Sequence, residues 1–163
     1  MARGGYKPMP DMNRIRNFTE DDVLIIQQGF EVFDHGKQLT DINEIMGYLD
    51  SINASEKFPT VYNLIGKIAE ACPKGANFKT FLETFQMYLG SVETKSGAQK
   101  LFDALDYDEN QYLDKERLKT LAKEIGEKIT DEELDYLIEE GYNCPNGKID
   151  SDAFVRMILK VNR

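Results

Sequence analysis

The chain has no tryptophan, a single histidine and only two cysteines in 163 residues. Two cysteines, Cys72 and Cys144, cannot build a disulfide framework for a chain this long, and without a paired histidine they make no zinc site. With His35 the only imidazole, a Ser or Cys nucleophile would have to recruit that one side chain, and no glycine-rich phosphate loop is present. His35 is expected to be a solvated loop residue and the protein not to be an enzyme. Long apolar runs are missing as well: nothing approaches the roughly 18 residues of a membrane span, and residues 1–17 lack the apolar core of a signal peptide. Ala2 stands where N-myristoylation requires glycine. These absences predict a soluble, intracellular protein. Cations are scarce too. Twenty Lys and Arg face twenty-nine Asp and Glu, a net charge of −9 that repels a phosphate backbone, so nucleic acid is not an expected partner.

What is present is 41% apolar residues, enough for a proper core, and an uneven charge. Residues 1–17 carry four bases and one acid, residues 18–90 five and eleven, and residues 91–163 eleven and seventeen. A basic arm thus precedes two equally acidic halves. The halves repeat one another. Phe30, Phe33 and Asp34 fall 72 residues before Phe102, Leu105 and Asp106, the run Cys72-Pro73-Lys74-Gly75 falls 72 before Cys144-Pro145-Asn146-Gly147, and Phe81 falls 73 before Phe154. Three separate anchors at one offset indicate a duplication.

Each half reads as helix, loop, helix, linker, helix, loop, helix. In the second half Leu101, Phe102 and Leu105 form one apolar stripe, Leu118, Leu121, Ala122 and Ile125 another, Leu134, Leu137 and Ile138 a third, and Phe154, Val155, Met157 and Ile158 a fourth. Spacings of three and four are those of helices burying one face. Thr130 with Glu133 is a capping box, Thr19 with Asp22 resembles one, and Gly126 marks a turn. The pattern predicts eight helices, at about 20–33, 41–53, 60–71, 78–89, 95–105, 115–125, 131–140 and 151–160. The expected organisation is a basic arm over 1–17, one pair of units over 18–90, a linker over 91–97 and a second pair over 98–163.

Between the helices of the third unit, Asp106, Asp108, Asn110 and Asp114 supply oxygens at the first, third, fifth and ninth places of a twelve-residue loop, with apolar Leu113 eighth. This matches the EF-hand loop. The run from Gly126 to Asp135 resembles the linker of the calmodulin and centrin family, and Ala153 to Ile158 resembles its last helix. The resemblance covers about residues 18–160 and is more specific in the second half. It implies an all-α fold of two EF-hand lobes, four helix-loop-helix units with short paired loop strands, Leu113 against Ile149 and Leu39 against Ala76.

The loops depart from the pattern. An EF-hand grips calcium with a bidentate Glu at the twelfth place and bends at a Gly in the sixth, whereas here Arg117 is twelfth and Gln111 sixth. A guanidinium cannot ligate a cation and is expected to pair with Asp106 or Asp108 instead. The fourth loop, counted from Tyr142, keeps only Asp150 among its strong ligands. The first is a residue short, with Gly36 and Gln38 where carboxylates belong, and the second contains no acid. No cofactor is therefore expected, calcium least disfavoured at Asp106, Asp108, Asn110, Tyr112 and Asp114.

A lobe that does not wait for calcium is a permanently formed groove. The resemblance implies that Phe102, Leu105, Leu118, Leu121, Ile125, Leu137, Ile138, Phe154, Met157 and Ile158 line a cleft for a partner's amphipathic helix, although each could equally be plain core. Only Met46, Met87 and Met157 lie in the helical body, which favours dedicated over promiscuous binding. The implied partner is a basic amphipathic helix of a larger protein, such as a motor neck or a centrosomal or ciliary scaffold, and the implied setting is the cytoplasmic cytoskeleton, the cilium included. A weak calcium or magnesium sensor using the third loop is one alternative. Another is a structural component of a ciliary or microtubule assembly, with Arg3, Lys7, Arg14 and Arg16 of the arm contacting neighbours.

Overall fold

The computed structural model describes residues 18–90 and 92–161, which form nine α-helices and one two-stranded antiparallel sheet. The arm residues Arg3, Lys7, Arg14 and Arg16 lie outside the described residues. The N-terminal lobe contains α1 (Glu20–Glu31), α2 (Ile42–Ser51), the short α3 (Ala54–Lys57), α4 (Pro59–Ala71) and α5 (Phe78–Leu89). The C-terminal lobe contains α6 (Lys95–Leu105), β1 (Tyr112–Leu113), α7 (Lys115–Glu124), α8 (Asp131–Tyr136), β2 (Ile149–Asp150) and α9 (Ser151–Val161).

Helix starts follow local chemistry. Thr19 and Asp22 make a reciprocal capping box at α1, and Thr130 and Glu133 make another at α8, each satisfying backbone N–H groups that lack helical partners. Two predicted helices are interrupted. The second ends at Ser51 because Asn53 takes a left-handed backbone, φ 59°, and opens the extra turn α3. The seventh, opening as α8, continues past Tyr136 as a π-turn over Leu137–Gly141, where Tyr142 N–H donates to the Leu137 carbonyl at 2.9 Å. Helix α6 opens at Lys95, capped by Thr94, inside the segment expected as linker.

The residues that betrayed the duplication meet inside the lobes. Phe30 packs on Phe81 with ring centroids 5.0 Å apart, and Phe102 packs on Phe154 at 5.7 Å. All four rings are buried, each worth about 1.5–3 kcal/mol of transfer free energy. Around them lie Val23, Ile42, Ile68 and Leu82 in one core and Leu113, Ile138 and Ile149 in the other.

Loop pairing joins the units of each lobe. Leu113 pairs with Ile149 as the pattern predicts. In the N-terminal lobe the partner of Ala76 is Thr40, not Leu39: Thr40 N–H donates to the Ala76 carbonyl at 2.9 Å and Ala76 N–H to the Thr40 carbonyl at 3.0 Å. The register is fixed by the next residue. In all four loops the pairing residue precedes an Asx whose side chain accepts a helix N–H: Asp41 from Asn43, Asn77 from Thr80, Asp114 from Arg117 and Asp150 from Ala153. The cap dictates which residue is two before the helix, and in the shortened first loop that is Thr40.

Candidate functional site

The third loop folds around a buried carboxylate. Asp106, 5% exposed, accepts Asn110 N–H at 3.0 Å and Gln111 N–H at 2.9 Å, one on each oxygen. These bonds hold a bend that Gln111 makes with φ 70°, in the left-handed region where an EF-hand has glycine, and Glu109 beside it has φ 57°. Asp114 caps α7. From the first turn of α7, Arg117 reaches back across the loop, pairs with the Asp108 carboxylate and lies over the Tyr107 ring, its guanidinium carbon 3.7 Å from the ring centroid. The Arg117 side chain is 11% exposed. Its expected pairing is thus with Asp108, while Asp106 is engaged by backbone. Burial pushes the Tyr107 hydroxyl above its ordinary pKa, with Arg117 opposing.

Folded this way, the loop does not fit a calcium ion. Both oxygens of Asp106, the Asp108 carboxylate and one oxygen of Asp114 are occupied by N–H donors, and a cation side chain stands in the twelfth place. Among the described residues no group of three or more His, Cys, Asp or Glu side chains is placed to hold a metal.

The fourth loop uses its ligand positions for packing. There Tyr142 stacks on Phe154 with ring planes 7° apart, Cys144 is buried with its thiol donating to the Tyr142 carbonyl, and Ala153 is buried in the twelfth place. Burial raises the pKa of both the Tyr142 hydroxyl and the Cys144 thiol. In the first, His35 is exposed but bonded to Glu44 at 2.9 Å.

The helix pairs of the C-terminal lobe are held differently. Helix α6 packs on α9 through Phe102 and Phe154, whereas α7 and α8 are joined on the outside by Lys119 to Asp131 at 2.9 Å and Lys115 to Asp135 at 3.0 Å. The hydrogen bond from Lys119 lowers the Asp131 pKa, and the same contact raises that of Lys119. Among the expected groove residues, Phe102, Ile138 and Phe154 are buried. Leu105, Leu118, Leu121, Leu137, Met157 and Ile158 are half-buried, and Ile125 is exposed at the end of α7.

A contact between the lobes was not legible in sequence. Helix α4 has no side-chain cap of its own. Glu124, at the end of α7, supplies one: Thr60 donates to it through its N–H at 2.7 Å and its hydroxyl at 2.8 Å. Nearby, Lys67 of α4 faces Asp103, Tyr107, Glu109 and Gln111 across a crevice of about 310 Å³.

Comparison with known proteins places this geometry. An EF-hand domain pair matches residues 95–159. Over 144 residues the chain is 31% identical to Caltractin ICL1e of Paramecium tetraurelia, a similarity spanning 87% of this chain and 81% of that protein. It is 27% identical over 145 residues to Centrin-1 of Bos taurus, spanning 88% and 84%. With Calcium-binding protein CML19 of Arabidopsis thaliana it shares 22% identity over 161 residues, spanning 98% and 95%. These matches correct one expectation. The sequence pattern argued for no cofactor, but an EF-hand pair and a relative named a calcium-binding protein point to calcium. The candidate donors named from the sequence, Asp106, Asp108, Asn110, Tyr112 and Asp114, all lie in this third loop, where Asp106, Asp108 and Asp114 are engaged by N–H donors.

Proposed function

Because the chain belongs to the caltractin and calmodulin-like family of EF-hand proteins, we propose that it is a non-enzymatic clasp for an amphipathic helix of a larger cytoskeletal partner. Its two EF-hand lobes are the N-terminal one, α1 to α5, and the C-terminal one, α6 to α9. The observation that carries the reading is Arg117. In a sensor EF-hand the ion links the loop to the departing helix; here a guanidinium anchored in α7 makes that link to Asp108. The lobe therefore needs no ion to tie its loop to α7, and its hold on a helix persists when calcium is removed.

The half-buried stripe of Leu105, Leu118, Leu121, Leu137, Met157 and Ile158, with Ile125 at its rim, supplies the apolar lining. A net charge of −9 steers a basic helix toward it. A motor neck or a centrosomal or ciliary scaffold carries helices of this kind, which sets the protein in the cytoplasmic cytoskeleton. No described helix is long and apolar enough to cross a membrane.

Calorimetric titration with an 18-residue leucine–lysine amphipathic helix, in calcium and in chelator, tests the reading. Binding in both, weakened about tenfold or more by Leu121→Asp, supports it; binding that requires calcium contradicts it. A second reading, a weak calcium or magnesium sensor, is favoured by the carboxylates kept in the third loop. It requires Arg117 to leave Asp108 as the ion enters.

A further inference from the structure

Helix α1 is apolar on two opposite sides. Val23 and Phe30 are buried in the core and Ile26 packs against them. At about 100° per residue, Leu24, Gln28 and Val32 line up on the other side with Ile25 beside them. That side faces solvent: Leu24 is 51% exposed, Ile25 66% and Val32 69%. Past the helix end the chain turns back to the core, where Phe33 packs and meets the exposed Tyr48 with ring centroids 5.8 Å apart. A surface helix normally places polar residues opposite its core stripe. Three large aliphatic side chains there, Leu24 and Ile25 on α1 and Val32 at its C-cap, mark an interaction face.

Charge identifies the occupant. Helix α1 contains Glu20, Asp21, Asp22 and Glu31 and no Lys or Arg, and no Lys or Arg occurs anywhere from residue 18 to residue 36. Two copies of the chain meeting through this face would bring acid against acid, which disfavours self-association. An apolar centre with an acidic rim is complementary to a helix that carries aliphatic residues along one stripe and lysines or arginines beside it.

We infer that the outer face of α1 is a docking surface for a basic amphipathic helix, separate from any cleft in the C-terminal lobe. A protein with both surfaces joins two helical segments rather than wrapping one. The inference does not rest on the cleft: α1 belongs to the other lobe and presents its aliphatic face away from that lobe's core.

The test is a nuclear magnetic resonance titration of the full chain, labelled with nitrogen-15, using the 18-residue leucine–lysine helix as probe. Amides of Leu24, Ile25, Gln28 and Val32 should shift, and the double variant Leu24→Asp, Ile25→Asp should abolish those shifts. Both positions are exposed, so the variant is expected to fold, which an unchanged circular dichroism spectrum checks. Leu121→Asp should leave the α1 shifts intact, which separates this inference from the C-terminal cleft. A probe in which glutamate replaces lysine should fail to shift α1. Shifts confined to the C-terminal lobe, α1 shifts that survive the double variant, or a sedimentation mass of two chains that the variant returns to one would each overturn the proposal, the last by showing a second copy as the occupant.

Discussion

The guanidinium of Arg117 lies 3.7 Å from the centre of the Tyr107 ring and pairs with Asp108, so one side chain ties the first turn of α7 to the opening of its own loop. A cation over an aromatic face contributes about 0.5–1 kcal/mol at exposed sites and more when desolvated. A charge-assisted hydrogen bond adds about 1.5–3 kcal/mol. The residue that stands in place of the usual twelfth-place calcium ligand is thereby also one that ties the loop to α7.

Gly75 and Gly147 occupy equivalent loop positions, with φ of 91° and 78°, but their surroundings differ. A Cβ on Gly75 would sit 2.6 Å from the Thr40 carbonyl oxygen, whereas Gly147 has nothing within 4 Å. Gly75→Ala should therefore destabilise the protein by on the order of 2–3 kcal/mol and Gly147→Ala by about 1 kcal/mol. Urea denaturation of the two variants measures the difference.

The ion pair between Lys119 and Asp131 makes the α7 to α8 contact pH-dependent. Asp131 titrates below its ordinary 3.8, so its contribution is full above that value and disappears as the pH falls through the lowered pKa. Lys119 titrates above 10.5, so its contribution is full below that value and disappears as the pH rises through the raised pKa. Thermal melts should show the acid loss in the native protein, and Asp131→Asn should remove this contribution to it. Since both groups are exposed, 1 M salt should flatten the difference.

Glu124 caps α4 from the other lobe. Glu124→Ala should cost about 1–2 kcal/mol by leaving the Thr60 N–H and hydroxyl without their acceptor, and should free the lobes to reorient. Small-angle scattering should record a larger radius of gyration for the variant, with unchanged helix content by circular dichroism.

Local and repeated features were legible in the sequence. The phenylalanines at offsets of 72 and 73 become the ring pairs Phe30–Phe81 and Phe102–Phe154. Both threonine capping boxes form, and Leu113 finds Ile149. These succeed because periodicity and capping act over a few residues or recur in both halves. The Thr40 register was missed because the position of the Asp41 cap, not apolarity, selects the pairing residue, and Thr40 is a polar side chain in an apolar slot. The bond between Thr60 and Glu124 joins residues 64 apart and leaves no pattern in either segment. For the third loop, sequence identified a guanidinium among carboxylates but not its choice of Asp108, since the backbone N–H groups that claim Asp106 depend on the left-handed turn at Gln111.

Amide hydrogen exchange of the native protein and of Arg117→Ala, both in chelator, tests most directly whether Arg117 does the structural work of an ion. The account predicts a protected third loop and β1 in the native protein without calcium. In the variant that protection should be lost, by about tenfold or more in exchange rate for a loss of at least 1.4 kcal/mol, while α1 to α5 stay unchanged. A native loop that exchanges freely until calcium is added, or a variant loop as protected as the native one, would contradict it.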